Sequence, residues 1–230
     1  MERWHNSERG FPKMHTVYPD GITSGKALIK HIGVSKADAT FSAIRAMRDG
    51  RGSVREGDVY AQLYVNGTMW MSDTHDEQRD HHSALWRARG EVLIGGLGLG
   101  MVALGIALKP EVTKVTVIEL NADVIALVEP YLRAAIEAAG QDPNKLVIVQ
   151  ADVFEWKPAK GQKFDTIWMD VWATLCTDDL KEHAKVNRKF GRAKNPGAWM
   201  GCWGHELLVR QQRHEKRENA RWGGFRSAWR

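Results

Sequence analysis

Short, nearly continuous apolar runs alternate with amphipathic stretches from residue 91 onward, and this alternation is the chain's main structural signal. Val92-Leu93-Ile94, Val115-Thr116-Val117-Ile118 and Leu146-Val147-Ile148-Val149 are strand-length and apolar but for Thr116, as strands covered on both faces tend to be. Residues 164–170 and 198–203 read as a fourth and a fifth strand. Between the first two, an apolar helix runs to about Leu108, where Lys109-Pro110 stops it. Asn121 caps a longer helix over 122–139, with Gly140 just past its end. A basic helix is predicted over 205–217. Ahead of residue 91 the period changes. Val59, Ala61, Leu63 and Val65 alternate, then Met69 and Met71, with Asn66-Gly67 between the two arms, which is a strong hairpin signal. Ser35 caps a helix over 35–48 closed by Gly50, and residues 83–89 suit a short helix. Residues 1–34, rich in Gly, Pro, His and Lys, read as loops with short elements.

Strands alternating with helices imply βαβ units. The expected fold is therefore α/β: a mostly parallel, Rossmann-like sheet with helices on both faces, preceded by a small β-hairpin region. The chain divides into an N-terminal extension (1–57), the hairpin and a linker (58–90), the core (91–204) and a basic C-terminal helix and tail (205–230). At 230 residues and 43% hydrophobic, one such domain with additions can bury a full core.

Charge refines this picture. Of 33 Lys/Arg and 28 Asp/Glu, residues 181–230 hold 13 and 4, which leaves 20 and 24 for residues 1–180. The basic character belongs to the C-terminal end. Such a segment suits an anionic partner such as nucleic acid, although a solvated basic helix is the plainer reading. No apolar run approaches the roughly 20 residues of a membrane helix. The first residues show no secretory pattern, and there are only two cysteines, Cys176 and Cys202. A reduced, cytoplasmic protein without membrane contact is expected.

The chemistry concentrates after the first core strand, in Gly95-Gly96-Leu97-Gly98-Leu99-Gly100. Glycines between a strand and a helix let the backbone approach a ligand, and the helix start offers free N–H groups. Glu119 ends the next strand about 20 residues on, where a carboxylate can accept both hydroxyl hydrogens of a ribose. Together these point to a ligand containing adenosine. The run is G-x-G-x-G: Gly96 and Gly98 fit the first two places of the dinucleotide fingerprint, but Met101 occupies its third. Asp152 follows the third strand and Asp170 ends the fourth, so both should converge with the glycines at the carboxyl edge of the sheet. His81 and His82 match no zinc spacing, and no metal site is expected.

The glycine run resembles the first motif of class I S-adenosylmethionine-dependent methyltransferases. From about residue 58 to 203, the order of parts is similar to the spermidine synthase branch of that fold, which places a β-hairpin before the nucleotide-binding core. Three stretches carry the match: 92–100, 115–120 with Asn121 and Asp123, and 150–152. The resemblance implies S-adenosylmethionine held by Gly95, Gly96, Gly98, Gly100, Glu119 and Leu120, with Asp152 and Val153 at the adenine. It implies Asp170 as the catalytic acid-base group, and that branch often forms homodimers. The Ser/Thr-Asp-Pro turn of that branch is replaced here by Val171-Trp172-Ala173-Thr174, which favours methyl over aminopropyl transfer. Trp172 and His81 fall on the substrate side, and a small-molecule substrate is expected. Aminopropyl transfer from decarboxylated S-adenosylmethionine and a non-catalytic nucleotide- or nucleic-acid-binding protein are the alternatives.

Overall fold

The computed structural model describes residues 10–49 and 54–227; the closing glycine expected at residue 50 lies outside them. Five strands form the larger sheet: β5 (Gly90–Gly95), β6 (Val112–Glu119), β7 (Leu146–Gln150), β8 (Phe164–Met169) and β9 (Lys194–Cys202). Their order is β7-β6-β5-β8-β9, and every pairing is parallel. The chain moves outward from β5 on one side, then returns to its other side with β8. The reversal leaves a crevice beyond the carboxyl ends of β5 and β8, where ligands of doubly wound sheets bind.

Helices α3 (Met101–Ala107), α4 (Ala122–Ala138) and α5 (Leu180–Gly191) make the crossovers. All seven residues of α3 are buried, as its apolar composition demands. Helix α4 buries Val124, Leu127, Val128, Leu132 and Ile136, a stripe at helical spacing. Its start is fixed by Asn121, whose side chain accepts the N–H groups of Asp123 and Val124. Helix α5 was not expected from the sequence: Val186 and Phe190 are its buried apolar residues and His183 completes the buried row, so the stripe is thin. The chain ends in a long helix, α6 (His205–Ser227), which extends ten residues beyond the expected end.

A four-stranded antiparallel sheet precedes this core. Strands β3 (Val59–Val65) and β4 (Thr68–Ser72) form the expected hairpin, with Asn66 and Gly67 both at positive φ as a type I′ turn requires. The structure adds a second hairpin where loops were expected, β1 (Ile22–Ser24) and β2 (Ala27–Gly33), with β2 pairing to β3 over seven residues. Ala27 and Ile29 bury one face of β2, whereas Lys30 and His31 interrupt the alternation that would have announced it. The β1–β2 turn docks on the core: Lys26 N–H donates to Asp123 Oδ2 at 2.9 Å, at the start of α4. Helix α1 (Lys36–Asp49) follows β2 where a helix was expected. After the hairpin, α2 spans His75–Arg87, earlier and longer than the short helix expected at 83–89. This difference brings Glu77 to the site beside His81.

Candidate functional site

One cavity of about 630 Å³ opens at the carboxyl ends of the core strands, within the size range of small-molecule sites. Its walls have two origins. Gly96, Gly98, Ile118, Glu119, Leu120, Asn121, Asp152 and Val153 come from the ends of β5, β6 and β7. Trp70 and Met71 from β4, Glu77 and His81 from α2, and Asp170, Trp172 and Trp203 beyond β8 and β9 line the other side.

The glycines act through backbone geometry. Gly96 lies at φ 90°, and a Cβ there would overlap the carbonyl oxygen of Asp170. The ladder continues to this point, since Asp170 N–H donates to the Gly95 carbonyl at 2.8 Å. The glycine loop and the Asp170 segment are therefore in direct backbone contact. Gly98 has φ 50°, and its missing side chain is the space taken by Met71 Sδ. That sulfur also accepts the Leu99 N–H at 3.0 Å. Gly95 and Gly100 do not line the cavity. Gly95 packs beneath it against Met169, and Gly100, at φ 71°, starts α3 against Leu132.

Glu119 is buried at the end of β6. Its Oε2 accepts Leu97 N–H and its Oε1 accepts Asn121 N–H, both at 2.8 Å. The carboxylate thus ties the glycine loop to the turn before α4, and a carboxylate with about four acceptor positions keeps others open. Leu120, beside it, is largely exposed at the rim. Asp152 is exposed, with Oδ1 accepting Phe154 N–H at 2.8 Å. Val153 is buried next to it, an apolar surface against which a flat ring can lie. Lys189 of α5 holds this turn through the carbonyls of Val153 and Phe154.

Asp170 stands at the junction of the two walls. Burial lifts its carboxyl to about 6; His81 opposes the shift, and the carboxylates of Glu77, Asp80 and Glu119 add to it. His81 Nε2 lies 3.4 Å from Asp170 Oδ2 and 3.8 Å from Glu77 Oε2. The imidazole is held between rings, edge-on to Trp168 at 5.7 Å and stacked on Trp203 at 6.4 Å. Burial pulls the pKa of His81 down, but Asp170, Glu77 and Asp80 outweigh it and the net shift is upward. Trp172 is braced from behind: its Nε1 donates to Glu182 Oε2 at 2.8 Å and its ring meets His183 at 4.0 Å.

The structure therefore gathers Gly96, Gly98, Glu119, Leu120, Asp152, Val153, Asp170, Trp172 and His81 around one cavity, with Gly95 and Gly100 in supporting positions. Sequence reasoning missed Trp70, Met71, Glu77 and Trp203. The signal for Glu77 was present, because it is four residues before His81 and shares its face once α2 begins at residue 75. Among the described residues no cluster of His, Cys, Asp or Glu could hold a metal.

No protein-family profile matches the chain, and no curated protein does either. Solved structures do. Spermidine synthase from Thermotoga maritima is 19% identical over 59% of this chain and 45% of its own length, with a TM-score of 0.41. An S-adenosylmethionine-dependent methyltransferase from Clostridium acetobutylicum matches at 15% identity over 53% of this chain and 45% of its own, TM-score 0.36. The CcbJ methyltransferase from Streptomyces caelestis matches at 18% over 54% and 45%, TM-score 0.38. The chain's structural neighbours include methyltransferases and a spermidine synthase. It spans less than half the length of these three, and at such identities the likeness assigns no activity. Its own residues must do that.

Proposed function

We propose that this chain is an S-adenosylmethionine-dependent transferase that moves the methyl group to a small-molecule nucleophile held against Asp170. One observation carries the reading: a glycine loop, a ribose-type carboxylate and an adenine-type Asp–Val pair share a single cavity with a partly protonated acid. The wall fits the cofactor chemically. Gly96 and Gly98 offer backbone that no Cβ blocks, Glu119 retains free acceptor positions, and Asp152 has an unengaged Oδ2 for an exocyclic amine. The bound cofactor would supply a sulfonium methyl, whose bond to sulfur breaks as the nucleophile's lone pair takes the carbon. The residues of the chain do the rest. Trp70 and Trp172 offer aromatic faces to a positive sulfonium, the two walls align donor and acceptor, and Asp170 takes the proton the nucleophile releases.

Aminopropyl transfer is the second reading, favoured by one observation. The acceptor wall carries the carboxylates of Glu77 and Asp170 but no Lys or Arg, which suits a cationic amine. The two free thiols support a reducing, cytoplasmic setting. Among the described residues no helix is long and apolar enough to cross a membrane.

Calorimetric titration with S-adenosylmethionine, its decarboxylated form, S-adenosylhomocysteine and NAD tests the proposal. Binding of S-adenosylmethionine and S-adenosylhomocysteine is the expected result. Preference for the decarboxylated compound would select aminopropyl transfer. Binding of NAD alone, or of nothing, would refute both, and salt-dependent RNA or DNA binding by the basic C-terminal helix would then be the next measurement.

A further inference from the structure

Asp170 is placed to accept a proton inside a cavity that burial makes hostile to its charge. A carboxylate in that position needs a counter-charge and a fixed orientation, or it becomes protonated and rotates. Four ionisable groups face it: Glu77 and Asp80 from α2, Glu119 from β6, and His81 from α2. Three are acids. Of the four, His81 alone can offset them, and its Nε2 lies 3.4 Å from Asp170 Oδ2.

The ring has little freedom. It is 1% exposed, edge-on to Trp168 and stacked on Trp203. Its other nitrogen, Nδ1, is buried without a hydrogen-bond partner. Both acidic neighbours of the ring lie at Nε2, Asp170 at 3.4 Å and Glu77 at 3.8 Å. A buried polar atom left unpaired is destabilising, so a structural histidine with no task here would be a poor choice for a pocket of tryptophans. Helix α2 buries only His81, Ala84 and Leu85, and an apolar residue at position 81 would continue that stripe at no such cost.

We infer that His81 is the positioning residue for Asp170: its imidazole, held by Trp168 and Trp203, sets Nε2 at 3.4 Å from Oδ2 as the counter-charge that keeps the carboxylate ready to take a proton. This rests on the transferase reading for the identity of the reaction, but not for the pairing itself. His81 touches no reacting atom in this role. It acts through Asp170, with Glu77 Oε2 at 3.8 Å from the same nitrogen.

The test reads the pair directly in the ligand-free protein. Aspartate labelled with 13C at the side-chain carboxyl gives the titration of Asp170, assigned by its loss in Asp170→Asn. In His81→Asn the Asp170 midpoint should move up by about one pH unit or more. In Asp170→Asn the His81 imidazole, followed by its ring 15N shifts, should titrate lower than in the wild type. Thermal melts establish that each variant is folded, and His81→Gln serves if His81→Asn is not. If activity is found, the acid limb of kcat/KM should move up with the Asp170 midpoint in His81→Asn, whereas a purely structural loss lowers the whole profile without moving it. An Asp170 midpoint that stays in place or falls in a folded His81 variant overturns the inference. Absence of S-adenosylmethionine binding with an intact Asp170–His81 coupling would instead refute only the transferase reading.

Discussion

Replacing Glu119 by Gln removes a charge but little volume, so its effects can be worked out from the contacts. The carboxylate accepts two backbone N–H groups, from Leu97 and from Asn121, each at 2.8 Å. A Gln amide offers one oxygen, so one of these N–H groups would face an NH2 instead. Hydrogen bonds to charged groups contribute about 1.5–3 kcal/mol, and at a buried site the stranded donor keeps the loss in that range. For a chain of this size about 2 kcal/mol lowers the melting temperature by about 4–8 °C. Binding should suffer separately. The remaining oxygen, occupied by backbone, leaves no acceptor for one ribose hydroxyl, which weakens S-adenosylhomocysteine by about 10- to 100-fold. Differential scanning fluorimetry and calorimetric titration measure the two effects on the same sample. If Glu119→Gln melts lower as calculated yet binds within about threefold of wild type, Glu119 is a loop tie and the ribose assignment is wrong.

Further outcomes follow from other contacts. Gly98→Ala places a Cβ at positive φ on Met71 Sδ; it should cost about 2–3 kcal/mol, and Met71→Ala in that background should return about 1 kcal/mol in a double-mutant cycle of urea unfolding. Asp170 holds its proton to about pH 6 in the folded state against 3.8 unperturbed. Its stabilisation is thus complete below the unfolded value and lost as pH rises through 6, by up to about 3 kcal/mol. Asp170→Asn should therefore be more stable than wild type at pH 8 and gain less at pH 5, and equal losses at both pH values would count against the buried-acid assignment. Tyr18 donates its hydroxyl to the Leu99 carbonyl at 2.7 Å, so Tyr18→Phe should lower unfolding free energy by about 1–2 kcal/mol, read from the urea midpoint.

What could be read in advance was local. Strand, glycines, helix, strand and Glu119 follow one another within thirty residues, and each is announced by its own period or turn chemistry. Asp152 and Asp170 were legible for the same reason, because a strand end predicts its own position in a parallel sheet. The unread parts depend on contacts far apart in sequence. Trp70 and Met71 sit on a hairpin that the alternation reveals, but nothing in that alternation says the hairpin packs on Gly98. Helix α2 was foreshortened because its inward face is built partly from His81, and a periodicity that counts apolar residues passes over a histidine. With the first turns of α2 went Glu77. Strand β2 was hidden by Lys30 and His31, whose long or polar side chains interrupt the pattern of a strand that buries only Ala27 and Ile29 fully.

The two origins of the cavity walls have an evolutionary corollary. The cofactor wall is assembled from loops that also close the core strands, so few of its residues can change without disturbing the sheet. The opposite wall takes Trp70, Met71, Glu77 and His81 from one hairpin and one helix, residues 59–87, and its other residues from beyond β8 and β9; of the hairpin residues, Trp70 is half-exposed. Met71 is tied to the glycine loop through Gly98 and Leu99, so it is Trp70 beside it where substitution can reshape the pocket and leave that loop as it is. On the transferase reading, directed evolution toward new acceptors should begin at that position.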